Sequence, residues 1–311
     1  MSFSQAIKKD LLKLTTDSER SIKAELSGIF AASATIKLDQ VNNIQLYLST
    51  ENTGFTRWLF ETIKNLYGYT LKIEVQKDAK LKGNHIYMVS LENPEQTQYL
   101  LKDLRILKRH SSKSVFFVNE IPEFFCSRQT YLKHYLRGVF LVCGYISNPD
   151  KQNHLELVSK QKTYLQSIRE ILEYYDIHSK IISRKNSWVL YIKEGESIST
   201  FFGVIGATRA LLEFENIKIL KGMRNQVNRQ VNCEMANITK STNAAIEQIE
   251  AIHKLEKLKI PLSEDLSKTA ELRLKNPEAS LQELAELSEA SLTKSMLYRR
   301  LQKILKLAEE K

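Results

Sequence analysis

Three features that would indicate a secreted or membrane protein are missing from this chain of 311 residues. The cysteines are only Cys126, Cys143 and Cys233, and their odd number and scattered positions argue against a disulfide framework or a CxxC metal site. The longest apolar stretch, Gly138 to Ile146, is far shorter than the roughly 20 residues of a membrane-spanning helix. The first residues, Met1 to Asp10, have the pattern of an amphipathic helix and not of a secretion signal. We therefore expect a soluble protein in a reducing cytoplasm that does not associate with membranes.

The sequence also lacks the common signatures of enzymes. It contains no Walker loop, no G-x-G-x-x-G and no G-x-S-x-G, so nucleotide-binding and α/β-hydrolase sites are not indicated. The six histidines show no metal-ligand spacing, and we interpret them as surface or second-layer residues: His85, His110, His134, His154, His178 and His253. The sequence therefore predicts no catalytic residue, no metal and no cofactor.

The charge of the chain is strongly positive and unevenly placed. A net charge of +10 and a pI near 9.3 favour an anionic partner. Between Lys218 and Lys240 there are five cations and one anion, Glu234, and from Lys294 to Lys306 there are five cations and no anion. We expect the binding surfaces in these two segments.

One short phrase occurs twice, at an offset of 110 residues. Leu26 to Ile36 and Leu136 to Ile146 both read L-x-G-I/V-F-x-x-x-A/G-x-I, and the apolar positions in and before each copy have helical spacing. A glycine inside a helix costs about 1 kcal/mol relative to alanine. Its presence at the same point of both copies, at Gly28 and Gly138, predicts two helices that pack very closely against each other.

The segments around the two phrases also repeat in order. After the first phrase the pattern predicts a hairpin over 34–49 that turns at Asn42-Asn43, a helix from about Phe55 to Tyr67 ending at Gly68, strands over 69–76 and 85–91, and a helix from about Pro94 to Lys108. From Arg128 the same order returns and closes with a helix over 198–212. We predict an α+β domain over 1–216, a pseudo-twofold saddle made of repeats at about 20–110 and 128–216.

No strand-like alternation follows residue 216. We predict a helical linker over 217–258 and a helix-turn-helix domain over 259–311. Its first helix has Glu264 and Asp265 in the first turn and stops at Asn276-Pro277, and Ser280 with Glu283 forms a capping box for the second. The second helix should direct Leu281, Leu284, Ala285 and Leu287 inward and break around 288–291. The third has an apolar face of Leu297, Leu301, Ile304, Leu305 and Ala308.

The opposite face of that third helix has the chemistry of a DNA-binding surface. Arginine pairs with guanine edges, while lysine and hydroxyl groups hold phosphates. We expect base contacts from Lys294, Ser295, Tyr298 and Arg299, because the N-terminal turns of a recognition helix reach the bases. Arg300 should hold the DNA backbone, and the remaining polar side chains of the surface are Gln302, Lys303 and Lys306. The alternative is a basic, solvated surface on a packing helix.

The segment from Gly222 to Asn237 is unusually rich in asparagine, a weak helix former. At helical spacing, Val227, Val231, Met235 and Ile238 form an apolar stripe. A second stripe contains Arg224, Asn225, Asn228, Arg229 and Asn232. This second stripe could hold phosphates of DNA or lock the helix against the preceding domain, and the sequence does not decide between the two.

The paired phrase resembles the LAGLIDADG homing endonucleases, in which two motif helices pack above a DNA-facing saddle. The resemblance implies a catalytic acid directly before the closing small residue of each phrase, where this chain has Ser33 and Cys143; Ala31 and Leu141 replace the other motif acid. Two-metal cleavage needs carboxylates to hold its cations. A diverged nuclease would have to recruit other acids, such as Asp39 or Glu156.

Over nearly its whole length the chain closely resembles the WhiA family of bacterial regulators. The most specific segments run from Arg137 to Gly144, from Ala210 to Asn216 and from Met223 to Asn237. The resemblance implies a non-enzymatic protein that binds double-stranded DNA, is associated with the nucleoid, and acts in cell division, chromosome segregation, transcription and, in spore formers, sporulation. Other transcription or cell-division proteins are candidate partners. The competing interpretation is a division or segregation scaffold with incidental DNA contact.

Overall fold

The computed structural model describes residues 2–16, 18–38, 44–77, 85–109, 115–117, 121–288 and 292–310. It contains two compact units, Met1–Lys221 and Gly222–Lys311. The predicted turn at Asn42-Asn43 and most of the predicted break at 288–291 lie outside the described residues.

The first unit alternates helices with pairs of strands. Its helices are α1 (Phe3–Leu11), α2 (Glu19–Ser33), α3 (Thr53–Tyr67), α4 (Pro94–Asp103), α5 (Glu123–Cys126), α6 (Gln129–Cys143), α7 (Lys162–Tyr174) and α8 (Gly195–Ile205). Its strands are β1 (Thr35–Leu38), β2 (Ile44–Thr50), β3 (Lys72–Lys77), β4 (His85–Leu91), β5 (Leu107–Arg109), β6 (Val115–Phe117), β7 (Gly144–Ile146), β8 (Leu155–Ser159), β9 (Lys180–Arg184) and β10 (Ser187–Ile192).

The two larger sheets of this unit have the same topology. Their strand orders are β1-β2-β4-β3 and β7-β8-β10-β9, and neighbouring strands are antiparallel in both. Each sheet begins directly after one glycine-bearing helix, α2 or α6, so the order of elements is duplicated along with the phrase. This confirms the predicted α+β repeat. The sequence did not predict the short α5 or the β5-β6 hairpin that joins the two halves.

The motif helices α2 and α6 pack backbone against backbone. A Cβ atom added to Gly28 would collide with the carbonyl oxygen of Tyr135, and one added to Gly138 would collide with that of Glu25. Glu25 and Tyr135 occupy equivalent positions in the two phrases, 110 residues apart. The contact is therefore symmetric, and the predicted close approach at the two glycines is confirmed.

A buried arginine links this helix pair to the end of α8. Arg137 donates from Nε to the carbonyl oxygen of Ile205 at 2.8 Å, and its Nη1 lies 3.7 Å from Oε2 of Glu25. The next residue, Gly206, has a φ of +78°, and a Cβ there would lie 2.8 Å from Nη2 of Arg137. The chain must therefore turn at Gly206 in a conformation that only glycine adopts easily.

That turn corrects one predicted helix, and a second left-handed residue corrects another. The helix predicted over 198–212 is two helices, because α8 ends at Ile205 and the next helix begins at Thr208. The helix predicted to reach Lys108 ends at Asp103, since Arg105 has a φ of +60° and β5 begins at Leu107.

The second unit is helical in its described residues. A helix of 50 residues, α9 (Thr208–Lys257), begins in the first unit, passes residue 216 without a break and continues into the second. It is followed by α10 (Glu264–Lys275), α11 (Leu281–Glu286) and α12 (Lys294–Glu309). Ala251, Ile252 and Leu255 of α9 share one apolar core with Ala270 of α10 and with Leu301, Ile304 and Ala308 of α12.

The capping box is confirmed and one inward position is wrong. Ser280 accepts from the backbone N–H of Glu283 at 3.3 Å, and Oε2 of Glu283 accepts from the N–H of Ser280 at 2.7 Å. Leu284 is buried, but Leu287 is 55% exposed because the helix ends at Glu286 and Leu287 is its C-cap. Among the described residues, no helix is long and apolar enough to cross a membrane.

Candidate nucleic-acid interface

Helix α12 separates an apolar side from a cationic side. Leu297, Leu301 and Ile304 are fully buried and Ala308 nearly so, which fixes one side of the helix in the core of the second unit. The side chains on its other positions are exposed: Lys294, Ser295, Tyr298, Arg299, Gln302, Lys303 and Lys306. The structure therefore brings seven of the eight residues predicted to contact DNA together on one accessible surface.

Arg300 is the exception. Its side chain is only 20% exposed, and its Nη2 lies 3.1 Å from Oδ1 of Asp265 in the first turn of α10. This ion pair holds α12 against α10 and occupies the guanidinium that was predicted to hold the DNA backbone. We therefore assign Arg300 to the internal packing of the unit, a role that sequence spacing could not show because Asp265 lies 35 residues earlier.

The first turn of α12 is free of acidic side chains. Thr293 caps the helix through its hydroxyl oxygen, which accepts from the N–H of Met296 at 3.3 Å, and no acid lies in the first turn. The partial positive charge of a helix N-terminus, together with Lys294, favours a phosphate at this end. The same end presents Ser295, Tyr298 and Arg299, the side chains predicted to reach bases.

A buried arginine that the sequence analysis missed fixes the turn before α11. Arg273 is 2% exposed, and its Nη1 donates to the carbonyl oxygen of Ala279 at 2.6 Å. Burial lowers the pKa of its guanidinium. The donor-rich side chain ties the end of α10 to the loop that leads into the capping box, and so positions α11 beside α12.

The asparagine-rich part of α9 forms a second polar surface. From Gly222 to Lys240 every residue is exposed. Within the described residues, the side chains of Arg224, Asn225, Asn228, Arg229 and Asn232 have no hydrogen-bond or ion-pair partner. Each asparagine costs up to about 0.7 kcal/mol of helix stability relative to alanine. On a different side of α9, Val227, Val231 and Met235 form the predicted apolar stripe, each about half exposed.

At the former catalytic positions, the side chains bond to their own helices. Oγ of Ser33 donates to the carbonyl oxygen of Ile29 at 2.8 Å, and Sγ of Cys143 donates to that of Val139 at 3.2 Å. Burial raises the pKa of the Cys143 thiol to about 11, against a smaller opposing effect of Lys8. Both residues are neutral donors at the ends of α2 and α6, where a nuclease would need carboxylates.

The two acids considered as replacements give the fold no open metal site in the part of the chain that is described. Asp39 lies outside the described residues. Glu156 is buried; its Oε1 lies 2.6 Å from Nε2 of His154 and its Oε2 accepts from Nη1 of Arg184 at 3.0 Å. Across the described ranges, no group of three or more His, Cys, Asp or Glu side chains could hold a metal ion.

These features define a class of protein: a duplicated LAGLIDADG-like domain followed by a helix-turn-helix domain. Family models match in the same order along the chain. They are the WhiA N-terminal LAGLIDADG-like domain over residues 19–107, the WhiA LAGLIDADG-like domain over 132–224 and the WhiA C-terminal HTH domain over 227–308. This chain belongs to the WhiA family, which confirms the resemblance carried by the repeated phrase and the asparagine-rich segment.

Whole-length comparisons agree with the family models. The chain is 40% identical to the probable cell division protein WhiA of Clostridium acetobutylicum over 313 residues, covering 100% of this chain and 98% of that protein. It is 39% identical to the protein of the same name from Clostridium novyi, with the same coverage. The crystal structure of full-length DUF199/WhiA from Thermatoga maritima matches with a TM-score of 0.61 at 28% identity, covering 100% of this chain and 99% of that one.

Proposed function

We propose that this protein is a non-enzymatic regulator that binds double-stranded DNA with sequence preference through α12. The observation that carries the proposal is the surface of α12, on which a fully buried apolar side leaves seven polar or cationic side chains exposed. No acidic residue interrupts the helix between Lys294 and Ala308. A helix fixed in this way can enter the major groove with all its exposed donors directed at the duplex.

The exposed residues divide into two roles. Lys294, Ser295, Tyr298 and Arg299 lie in the first two turns and read base edges, with Arg299 suited to bidentate pairing with guanine. Gln302, Lys303 and Lys306 lie further along the helix and hold phosphates, which position the protein without carrying sequence information.

The first unit supports this function by its fold and not by cleavage. Ser33 and Cys143 stand where the related nucleases have metal-binding acids, and each spends its hydrogen on a carbonyl of its own helix. Phosphodiester cleavage by two metals requires carboxylate ligands at such positions. The unit keeps the paired-helix architecture, and its sheets remain available for a protein partner or further DNA contact.

The process that the protein serves is cell division. Relatives that match over their whole length are named for that process. In this proposal the protein acts at the nucleoid in the cytoplasm, where it regulates transcription and contributes to chromosome segregation, and to sporulation in spore formers.

Substitution of Arg299 tests the role of α12. With a duplex selected from a random library by the full-length protein, we expect Arg299→Ala to weaken specific binding by about 1–3 kcal/mol and to relax base preference at one position. Lys306→Ala should instead weaken binding to selected and scrambled duplexes alike. Lys268→Ala is a matched control, because Lys268 is an exposed cation on α10 that is paired with Glu264. Equal losses on both duplexes for Arg299→Ala would refute base reading by Arg299.

Salt dependence separates a DNA-binding protein from a scaffold with incidental contact. Arg300 is paired internally, so α12 offers four free cations, Lys294, Arg299, Lys303 and Lys306. If all four neutralise phosphates, log K should fall with log salt at a slope of roughly −3 to −4 from α12 alone. A flat response, with retained binding of a division or segregation protein, would favour the scaffold.

A further inference from the structure

One side of α9 has the composition of a nucleic-acid surface. At about 100° per residue, Asn225, Asn228, Arg229 and Asn232 lie within one sector of the helix. We call these four residues the amide face. Glu234, the acid nearest to them along α9, lies on the opposite side of the helix. A polyanion approaching the amide face would therefore meet amides and a guanidinium with no repelling carboxylate.

The amide face has no purpose inside the part of the chain that the structure describes. Its four side chains are exposed and make no hydrogen bond or ion pair with other described residues. Elsewhere on the same helix, exposed amides do find partners: Nε2 of Gln230 donates to Oε1 of Glu234 at 3.1 Å. Asparagine also weakens a helix by competing for backbone hydrogen bonds, so three of them on one face lower helix stability without an internal gain.

The amide face belongs to the same compact unit as α12. That unit begins at Gly222, and the match to the C-terminal HTH domain begins at residue 227. Ile252 and Leu255 of α9 pack in the core that fixes α12, and Nζ of Lys254 donates to the carbonyl oxygen of Ala308 at 2.8 Å. At 1.5 Å per residue, Asn232 and Asn225 lie about 30 and 40 Å along α9 from Ile252.

We propose that the amide face is a second DNA-binding element, which contacts the duplex about one helical turn away from the site of α12. Asparagine can pair with the N6 and N7 edge of adenine and arginine with guanine or phosphate, so the side-chain types fit base and backbone contacts alike. The distance of 30 to 40 Å along α9 is close to the repeat of about 34 Å per turn of B-DNA. This inference rests on the proposed function, since it adds a contact to a protein that already holds DNA through α12.

The test compares two triple variants of the full-length protein. The first removes the asparagines of the amide face, Asn225→Ala, Asn228→Ala and Asn232→Ala. The matched control removes three amides from the opposite side of the same helix segment, Gln226→Ala, Gln230→Ala and Asn237→Ala. Alanine favours the helix in both, so α9 should persist, which circular dichroism and thermal unfolding can verify.

On a duplex of 40 base pairs selected by the wild-type protein, the amide-face variant should bind at least tenfold more weakly. Its hydroxyl-radical footprint should lose one tract, about one helical turn at one end. The control variant should stay within twofold of wild type with a complete footprint. A single change, Arg229→Ala, should reduce the magnitude of the salt slope by about one.

The outcomes separate this inference from the proposed function. If wild type binds a specific duplex and the amide-face variant matches its affinity, footprint and salt slope, the second element does not exist and α12 alone binds DNA. A lowered unfolding temperature with an intact footprint would show that the face stabilises the chain, and would also overturn the inference. If wild type selects no duplex, the proposed function fails. Retained selectivity in Arg299→Ala, with loss in the amide-face variant, would place base reading on α9.

Discussion

The two halves of the first unit share a backbone plan but differ in the side chains at equivalent positions of their sheets. Tyr47 lies opposite Thr35 in the first sheet, and Glu156 lies opposite Tyr145, 110 residues after Thr35, in the second. In the first half, the Tyr47 hydroxyl donates to Oε1 of Gln45 at 2.7 Å. In the second, Glu156 is held by His154 and Arg184.

The comparison shows which parts of a duplicated fold can diverge. Gly28 and Gly138 are the same residue in both halves because backbone atoms of the partner helix fill the space of a Cβ. A sheet position has no such restriction, since any side chain that satisfies its polar groups will fit. Changes at the shared glycines should therefore cost most, changes at the divergent sheet cluster less, and changes at the two helix ends least.

The largest effect is expected at the glycines of the helix pair. Gly138→Ala or Gly28→Ala would force α2 and α6 apart, because the new methyl group meets a backbone carbonyl that cannot rotate away. We expect a loss of about 3 kcal/mol in the free energy of unfolding, the upper part of the range for overpacking, measured by urea denaturation. Similar losses at the two positions would show that the contact is symmetric.

Gly222→Ala is the matched control for both variants. Gly222 lies in α9 with nothing within 4 Å of the position of an added Cβ. Alanine should therefore raise stability by about 0.5–1 kcal/mol through helix propensity alone. A loss at Gly222 equal to that at Gly138 would contradict the steric explanation.

A smaller and pH-dependent effect is expected where the second half differs from the first. Burial alone raises the pKa of Glu156, but hydrogen bonds from Arg184 and His154 outweigh it and hold this pKa below its ordinary value of 4.5. A lowered carboxyl pKa contributes stability above pH 4.5 that is lost as the pH falls through the lowered value. The deficit of Arg184→Gln in urea midpoint should therefore be largest at pH 7 and shrink towards pH 3.

The neighbouring Lys180 provides the control for that profile. It is an exposed cation on the same strand, β9, and the described structure gives it no bond to Glu156. Lys180→Gln should show little deficit at any pH between 3 and 7. A deficit of Arg184→Gln that stays constant over this range would mean that the arginine acts through packing and not through the charge of Glu156.

The sequence predicted those features that depend on local chemistry. The motif helices followed from glycines placed at equal points of two helical phrases, and the start of α11 followed from Ser280 and Glu283, three residues apart. Helix α3 ends at Gly68, whose φ of +71° gives the C-cap that glycine suggested. In each case the residues that determine the structure lie within one or two helical turns of each other.

The features that the sequence did not predict depend on contacts between distant residues. Arg300 resembles the other cations of α12 by spacing, and only the packing of α10 brings Asp265 to it. The break between α8 and α9 depends on Arg137, about 70 residues earlier, whose guanidinium bonds to Ile205 beside Gly206. Apolar periodicity continues across that glycine, so spacing alone indicated one helix where the structure has two.

The smallest effect is expected at the ends of α2 and α6, where the two halves differ by one atom type. Ser33→Ala removes a donor to the carbonyl oxygen of Ile29 and should cost about 0.5–1 kcal/mol in the free energy of unfolding. Cys143→Ser should be nearly neutral, because a serine hydroxyl can donate to Val139 as Ser33 does to Ile29. Urea denaturation measures both, and a plasmid-nicking assay with Mg²⁺ checks the chemistry. If these residues only close their helices, wild type and both variants should leave the plasmid intact; nicking by wild type that Cys143→Ser abolishes would show instead that the divergence of the halves preserved a nuclease.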